Sequence, residues 1–365
     1  MPNHKNLENS RKYKNDEFYT QYDDIEKELN SYIEYNKDVF KNKTILCPCD
    51  DPEWSNFTKY FAANFERLGL KKLISTSYTK SAGSKQLSLF EENSENYDPV
   101  KNNTHGKVFV LDRDRNHSGH IDINDINFSY LEGNGSFDSE EVTKLRDEAD
   151  FIITNPPFSL FSEFFSWIME AHKKFLIIGN ISCISYKDVF LNIKKNKVWL
   201  GTGMGRWISG FIVPKDYKLY GSEAKINDKG ERIVSTNSCL WLTNIEHGKK
   251  HKKLQLMSME DNLKYNKKLL KRLDSKYGIK KYPHYDNYDA IEVPYTEAIP
   301  KDYTGVMGVP VSFLDKYNPD QFEIIDINPH FFSIVENGNP KPKQLTLKNV
   351  NGKDPYVRLL IKAKE

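Results

Sequence analysis

The chain has 365 residues, of which 38% are hydrophobic and 28% charged, with a formal net charge of +2. That length allows two domains or one elaborated domain with a sizeable core. No 18-residue apolar run and no signal-peptide pattern occurs, so a cytoplasmic chain with no membrane span is expected.

Residues 1–12 are polar and are expected to form a disordered tail. From Asp16 to about Tyr35, Ile25, Leu29, Tyr32 and Ile33 recur at helical spacing. Thr44–Cys47 and Leu73–Thr76 read as strands. Between them Phe57, Tyr60, Phe61, Phe65 and Leu68 make a helical stripe that Gly69 closes. Cys47 and Cys49, with Cys183 and Cys239 far away, have no further ligands to complete a zinc site, so no metal is expected. Residues 81–106 are rich in Ser and Asn without periodicity and read as a long polar surface loop. Val108–Leu111, Phe151–Thr154 and Phe175–Ile178 are further strand candidates, and Leu160 to Met169 reads as a helix. This βαβ rhythm predicts a mostly parallel sheet covered on both faces.

After about Gly201 the rhythm changes. Phe211–Val213 and Leu240–Leu242 read as short strands. Leu263, Leu269, Leu270 and Leu273 lie in a Lys-rich helix ending near Gly278. Phe322–Ile327 and Tyr356–Ile361 suggest an antiparallel or mixed sheet. A boundary near residue 200 therefore separates residues 13–200 from an α+β region, 201–365. Glu246 to His284 holds twelve Lys/Arg against four Asp/Glu, a local excess of +8, which leaves about −6 for the rest. Such asymmetry points to a nucleic-acid face, or to a solvated basic helix.

The most chemical stretch is Asn155-Pro156-Pro157-Phe158, just past the strand Phe151–Thr154. In open α/β sheets ligands bind at that edge. The prolines stiffen the turn, Asn155 offers an amide oxygen, and Phe158 offers a flat ring. Two acceptors and an aromatic plate suit a planar base with an exocyclic amine.

Asn-Pro-Pro-Phe resembles the catalytic motif of amino-methyltransferases that use S-adenosylmethionine. With DEFYTQYDDIEKEL from Asp16, CPCDDPEWSNFTKYFAANF from Cys47 and GVMGVPVSFLDKYNPDQFEI from Gly305, the chain resembles the EcoRI-type adenine-specific DNA methyltransferases. The resemblance implies a Rossmann-like class I methyltransferase fold with a mostly parallel seven-stranded sheet, and a target-recognition region after residue 200. It implies S-adenosylmethionine as cofactor, held by Phe18, Tyr19 and Thr20, by Cys49, Asp50, Asp51 and Pro52, by Ser55 and Asn56, and by Tyr78, Ser136, Phe137 and Asn155. Three departures stand out. No Gly occurs between Cys47 and Leu68, and Ser75-Thr76-Ser77-Tyr78 offers no acid for the ribose. Ser136 also stands where the family's third motif has Asp. Ser55 or Asn56 can equally be a helix cap.

The implied partner is double-stranded DNA, with the target base swung out onto Phe158. Lys249, Lys250, Lys252, Lys253, Lys267, Lys268, Lys271 and Arg272 are the expected phosphate contacts. Arg206 and Trp207, with Trp199 in the same Gly-rich stretch, are expected to wedge into or read the duplex, although a structural turn explains those glycines too. A monomer is expected, paired with a restriction endonuclease or acting as a phage-borne or orphan enzyme. Methylation of RNA adenine, of cytosine N4 or of a protein glutamine stays open, as does an inactive DNA-binding protein on this fold.

Overall fold

The computed structural model describes residues 18–52, 55–79, 97–204, 208–213, 224–228, 230–235, 238–286, 288–328 and 357–364. The tail 1–12, residues 81–96 of the polar loop, and Arg206 with Trp207 lie outside these residues.

Contacts divide the chain into two units, Met1–Cys183 with Leu200–His247, and Ile184–Trp199 with Gly248–Glu365. Residues 201–247 lie with the first unit and residues 184–199 with the second. Strand pairing is the reason, and it links segments too far apart for sequence periodicity to show.

In the first unit the strands are β1 (Tyr19–Thr20), β2 (Thr44–Cys47), β3 (Lys72–Ser77), β4 (Lys107–Leu111), β5 (Asn127–Tyr130), β6 (Phe151–Thr154), β7 (Lys174–Asn180), β8 (Trp199–Met204), β9 (Phe211–Val213), β10 (Ala224–Ile226), β11 (Arg232–Val234) and β12 (Cys239–Thr243). The main sheet has eight strands in the order β5-β4-β3-β2-β6-β7-β12-β8. Its four central strands, β3, β2, β6 and β7, are parallel. β4, β5 and β12 pair antiparallel. The expected seven-stranded, mostly parallel sheet is therefore corrected to a mixed one of eight. Burial gives the physical reason. β2 and β6 are buried at every position, as continuous apolar runs covered on both faces must be. In β4 burial alternates with partial exposure, the pattern of an antiparallel strand with one wetter face. A second sheet, β1-β9-β11-β10, is antiparallel throughout.

Helix Tyr22–Tyr35 buries Ile25, Leu29 and Tyr32, and helix Asn56–Ala63 buries Phe57, Tyr60 and Phe61, in one cluster with Trp241 of β12. The former helix also buries two carboxylates. Glu28 accepts from the Thr202 N–H (2.8 Å), the Thr202 hydroxyl (2.7 Å), the Gly203 N–H (2.9 Å) and the Tyr32 hydroxyl (2.8 Å). One turn earlier Asp24 accepts from the Ser209 N–H (2.9 Å) and hydroxyl (2.8 Å). Gly201 has no room for a side chain, since a Cβ there would lie 2.2 Å from Glu28 Oε1. Inside the expected loop 81–106 sits a short helix, Pro99–Thr104, with Pro at its start and Asp98 accepting from the Val100 and Lys101 N–H groups.

In the second unit a four-stranded mixed sheet has the order β13 (Ala290–Glu292), β14 (Val306–Pro310), β16 (Arg358–Ala363), β15 (Phe322–Asn328). Arg358 of β16 reaches across β14 to Glu292 of β13, at 2.7 Å, in a pair buried on both sides. The single Lys-rich helix expected here is two, Met259–Tyr265 and Lys267–Tyr277. Asn266 ends the first and caps the second by accepting from the Leu269 N–H at 3.0 Å. Gly278 closes the second helix with φ +65°. Among the described residues no helix is long and apolar enough to cross a membrane.

Candidate active site

The carboxyl ends of the four parallel strands share one edge, and Asn155-Pro156-Pro157-Phe158 leaves it directly after β6. Asn155 Nδ2 donates to the Phe18 carbonyl at 2.8 Å, which sets the direction of the amide. Its Oδ1 is buried and has no hydrogen-bond partner. A buried acceptor without a donor costs about 1–3 kcal/mol, so native structures satisfy nearly all of them. In the Asn155 turn that acceptor receives no donor from the described residues.

The Phe158 ring is half-buried against Phe18 and Phe211, at 5.9 Å from each, and those two rings are themselves 5.9 Å apart. Pairing of β1 with β9 brings Phe18 and Phe211 together. Phe211 is a ring contact of Phe158 that sequence reading missed. Its strand was visible, but its docking beside residue 18 has no local signal.

β2, the neighbour of β6, supplies the adjoining turn. Cys49 adopts φ +66°, and its N–H donates to the Thr76 hydroxyl at 3.3 Å. The left-handed turn that glycine usually makes is thus made by cysteine, at a cost of about 1–2 kcal/mol. Burial pushes the Cys49 thiol up to about 12, so it is no nucleophile near neutrality. Asp50 is buried and turned inward. Its carboxyl meets the Ser55 hydroxyl at 2.6 Å and the Thr154 hydroxyl, and its carbonyl accepts from the Ser75 hydroxyl. Burial pushes the Asp50 carboxyl up to about 7, although the Ser55 and Thr154 hydrogen bonds pull it down.

Asp51 is half-buried, and its carbonyl accepts from the Ser55 N–H at 2.7 Å. Pro52 beside it is buried. Ser55 caps its helix by accepting from the Phe57 N–H at 3.1 Å. Asn56 Nδ2 donates to the Thr20 carbonyl at 2.8 Å, tying β1 to this helix, while the buried Thr20 hydroxyl has no partner. Tyr19 is half-buried, and Tyr78 is exposed at the end of β3.

The loop Gly133–Asp138 closes on the same strand end. Gly135 has φ +79°, and a Cβ there would lie 2.4 Å from the Ser77 carbonyl, so only glycine fits. Ser136 donates to the Asp138 carboxylate. Phe137 corrects an expectation. It is 5% exposed and packed edge-on against Phe164 (5.0 Å) and Trp167 (5.6 Å), so it anchors the loop and offers no free face to an adenine.

The expected DNA contacts separate into two groups. Lys249 pairs with Asp315 at 2.5 Å. Lys250 is 6% exposed, with its ammonium 3.2 Å from the centre of the Trp199 ring. A free phosphate contact is corrected for Lys250, and a wedging role for Trp199, because each is buried by the other's company. Lys252, Lys253, Lys267, Lys268 and Lys271 are exposed, and Arg272 is half-buried. Leu269, Leu273 and Tyr277 hold the other face of that helix down.

Comparison with known proteins places this geometry. The family model described as adenine-specific methyltransferase EcoRI matches residues 6–364. The chain is 45% identical to the type II methyltransferase M.EcoRI of Escherichia coli, over 98% of this chain and 96% of that one. It is 35% identical to M.MgeORF184P of Mycoplasma genitalium, over 98% of each chain. It is 32% identical to M.MpnI of Mycoplasma pneumoniae, over 98% of this chain and 97% of that one. Both mycoplasma proteins are likewise type II methyltransferases by name. No solved structure matches.

Proposed function

The chain belongs to the EcoRI family of adenine-specific DNA methyltransferases, and we propose that it transfers a methyl group from S-adenosylmethionine to N6 of an adenine turned out of double-stranded DNA. The observation that carries the chemistry is the unpartnered, buried Oδ1 of Asn155. It accepts one N6 hydrogen, and the rigid Pro156 carbonyl accepts the other. Held so, the amine's lone pair is drawn out of the ring and made nucleophilic. Phe158, backed by Phe18 and Phe211, takes the face of the extrahelical base. Catalysis then rests on positioning and on two fixed acceptors; the C–S bond breaks as the N–C bond forms, S-adenosylhomocysteine leaves, and the methylated amine gives its extra proton to water, so no general base is needed.

The residues present suit the methyl donor. The unpartnered Thr20 hydroxyl can bond its carboxylate, Asp51 its ammonium, and the exposed Tyr78 ring its adenine. When bound, S-adenosylmethionine supplies an electrophilic methyl on its sulfonium sulfur. In the second unit Lys252, Lys253, Lys267, Lys268, Lys271 and Arg272 neutralise DNA phosphates, and a cognate restriction endonuclease completes the type II system. We place the target-recognition contacts within residues 201–365, although contacts assign residues 201–247 to the first unit.

The test is mass spectrometry of nucleosides from plasmid DNA incubated with the protein and donor. N6-methyladenine at one short sequence is expected. N4-methylcytosine alone, or no modified nucleoside with donor shown to bind, overturns the assignment.

A further inference from the structure

Asp50 lies behind the turn that ends β2, one strand from the catalytic turn, and its hydrogen bonds do not balance if its carboxyl is ionised. The Thr154 hydroxyl sits between two acceptors, the Pro48 carbonyl at 2.8 Å and Asp50 Oδ2 at 2.5 Å. It has one hydrogen and can satisfy only one of them. Were Asp50 a carboxylate, one of these close oxygen pairs would have no proton between them. A proton on Asp50 Oδ2 resolves the conflict. Asp50 then donates to Thr154, Thr154 donates to Pro48, and Ser55 donates to Asp50 Oδ1 at 2.6 Å while accepting from Phe57. Every polar atom in the chain of bonds is then used once in each direction it can be.

We propose that Asp50 carries a proton in the donor-free protein and acts as a positioning residue, a neutral bridge between the donor-side turn and Thr154, the residue before Asn155. It does not serve as an anionic counter-charge to the donor. This rests on the methyltransferase reading above and deepens it.

The surroundings agree. The side chain is buried, and the elements packed on it present hydroxyls, from Ser55 and Thr58 on the helix side, Ser75 on β3 and Thr154 on β6. The ionisable groups nearest it are Asp51, which raises it, and the thiols of Cys47 and Cys49, themselves pushed up by burial. Asp138 acts on Cys49 from the loop Gly133–Asp138. None of the influences resolved on Asp50 comes from a cation. The contact to the donor's ammonium then falls to Asp51 alone.

Asparagine reproduces the neutral acid, with Nδ2 donating to Thr154 and Oδ1 accepting from Ser55. The test compares the full-length protein with Asp50→Asn, without donor, by infrared difference spectroscopy. A carboxylic-acid C=O band is expected in the wild type below neutral pH, lost in mildly alkaline buffer and missing from Asp50→Asn. In calorimetry Asp50→Asn keeps donor affinity within about threefold, whereas Asp50→Ala, which leaves the buried Ser55 hydroxyl without its acceptor and Thr154 without its bridge, loses about tenfold or more. Thr154→Val keeps the band but shifts it, which preserves the test if Asp50→Asn does not fold. Absence of the band in folded wild type below neutral pH overturns the proposal, as does a loss of about tenfold or more in folded Asp50→Asn. Failure of the wild type to bind donor would instead defeat the methyltransferase reading, and the infrared result still decides the proton.

Discussion

Replacing Asn155 with alanine should separate chemistry from stability to an unusual degree. The substitution removes the donor to the Phe18 carbonyl, a 2.8 Å bond, and leaving that carbonyl unpaired costs about 1–3 kcal/mol. It also removes Oδ1, which is buried with no partner, and so relieves a penalty of about the same size. The two effects oppose, and net stability should change by about 1 kcal/mol or less, a melting shift of no more than about 2–4 °C. Turnover loses one of its two preorganised acceptors, which costs roughly 100- to 1,000-fold. The assays are a circular-dichroism melt, calorimetric donor binding, and single-turnover methyl transfer to DNA. A melting drop beyond about 10 °C would show that the amide is a stabilising group and that the unpaired oxygen carries no penalty. Retention of turnover within about threefold would remove Oδ1 from the chemistry. Loss of donor binding would move Asn155 into the donor pocket.

Three further outcomes are expected. Phe158→Ala should weaken capture of the extrahelical base by about 1–3 kcal/mol, so a 2-aminopurine at the target should change its fluorescence rise; a wild-type rise counts against the stacking role. Alanine at Lys252, Lys253, Lys267 or Lys271 should each lower the salt dependence of DNA binding by about one charge, while Lys250→Ala should instead lower the melting temperature through its Trp199 contact; the reverse pattern would exchange their roles. Asp50 should also leave a pH signature on stability. Its folded value of about 7 lies above the ordinary 3.8, so the fold holds this proton more tightly than the unfolded chain, and that contribution fades as pH rises from about 4 to about 7. Urea unfolding across that range should show a decline of at most about 4 kcal/mol that Asp50→Asn flattens, and parallel curves for the two proteins would refute it.

Much of this was legible in the amino-acid order because it is local. The run Phe151–Thr154 and the stiff turn after it are set by neighbouring residues and appear where expected, while the stripe from Phe57 to Leu68 is broken at Asn64 into helices Asn56–Ala63 and Phe65–Leu68. The mixed edges of the sheet were not foreseen, because the alternation in Lys107–Leu111 is one of burial and the residues themselves, Lys-Val-Phe-Val-Leu, do not alternate. Long-range effects were illegible. Nothing near Cys49 says that it adopts a glycine conformation, nothing near Phe137 says that it turns inward, and nothing near Lys250 says that Trp199 covers it. Nor does the spacing of Asp24 and Glu28 reveal that they hold Thr202, Gly203 and Ser209. Those facts follow from what folding brings alongside, which a single sequence does not state.

The Phe18 carbonyl that steers Asn155 lies just before β1, whose Thr20 pairs with Phe211. A ribosome making this chain therefore exposes the catalytic turn well before the segment that seats β1 has emerged. At about 5–20 residues per second the interval from residue 155 to residue 211 lasts roughly 3–11 s. Until it ends, the growing polypeptide has its reactive amide but lacks the brace that aims it. Messages cut short before codon 211, or proteins trimmed past residue 18, should yield chains that retain Asn155 and cannot use it.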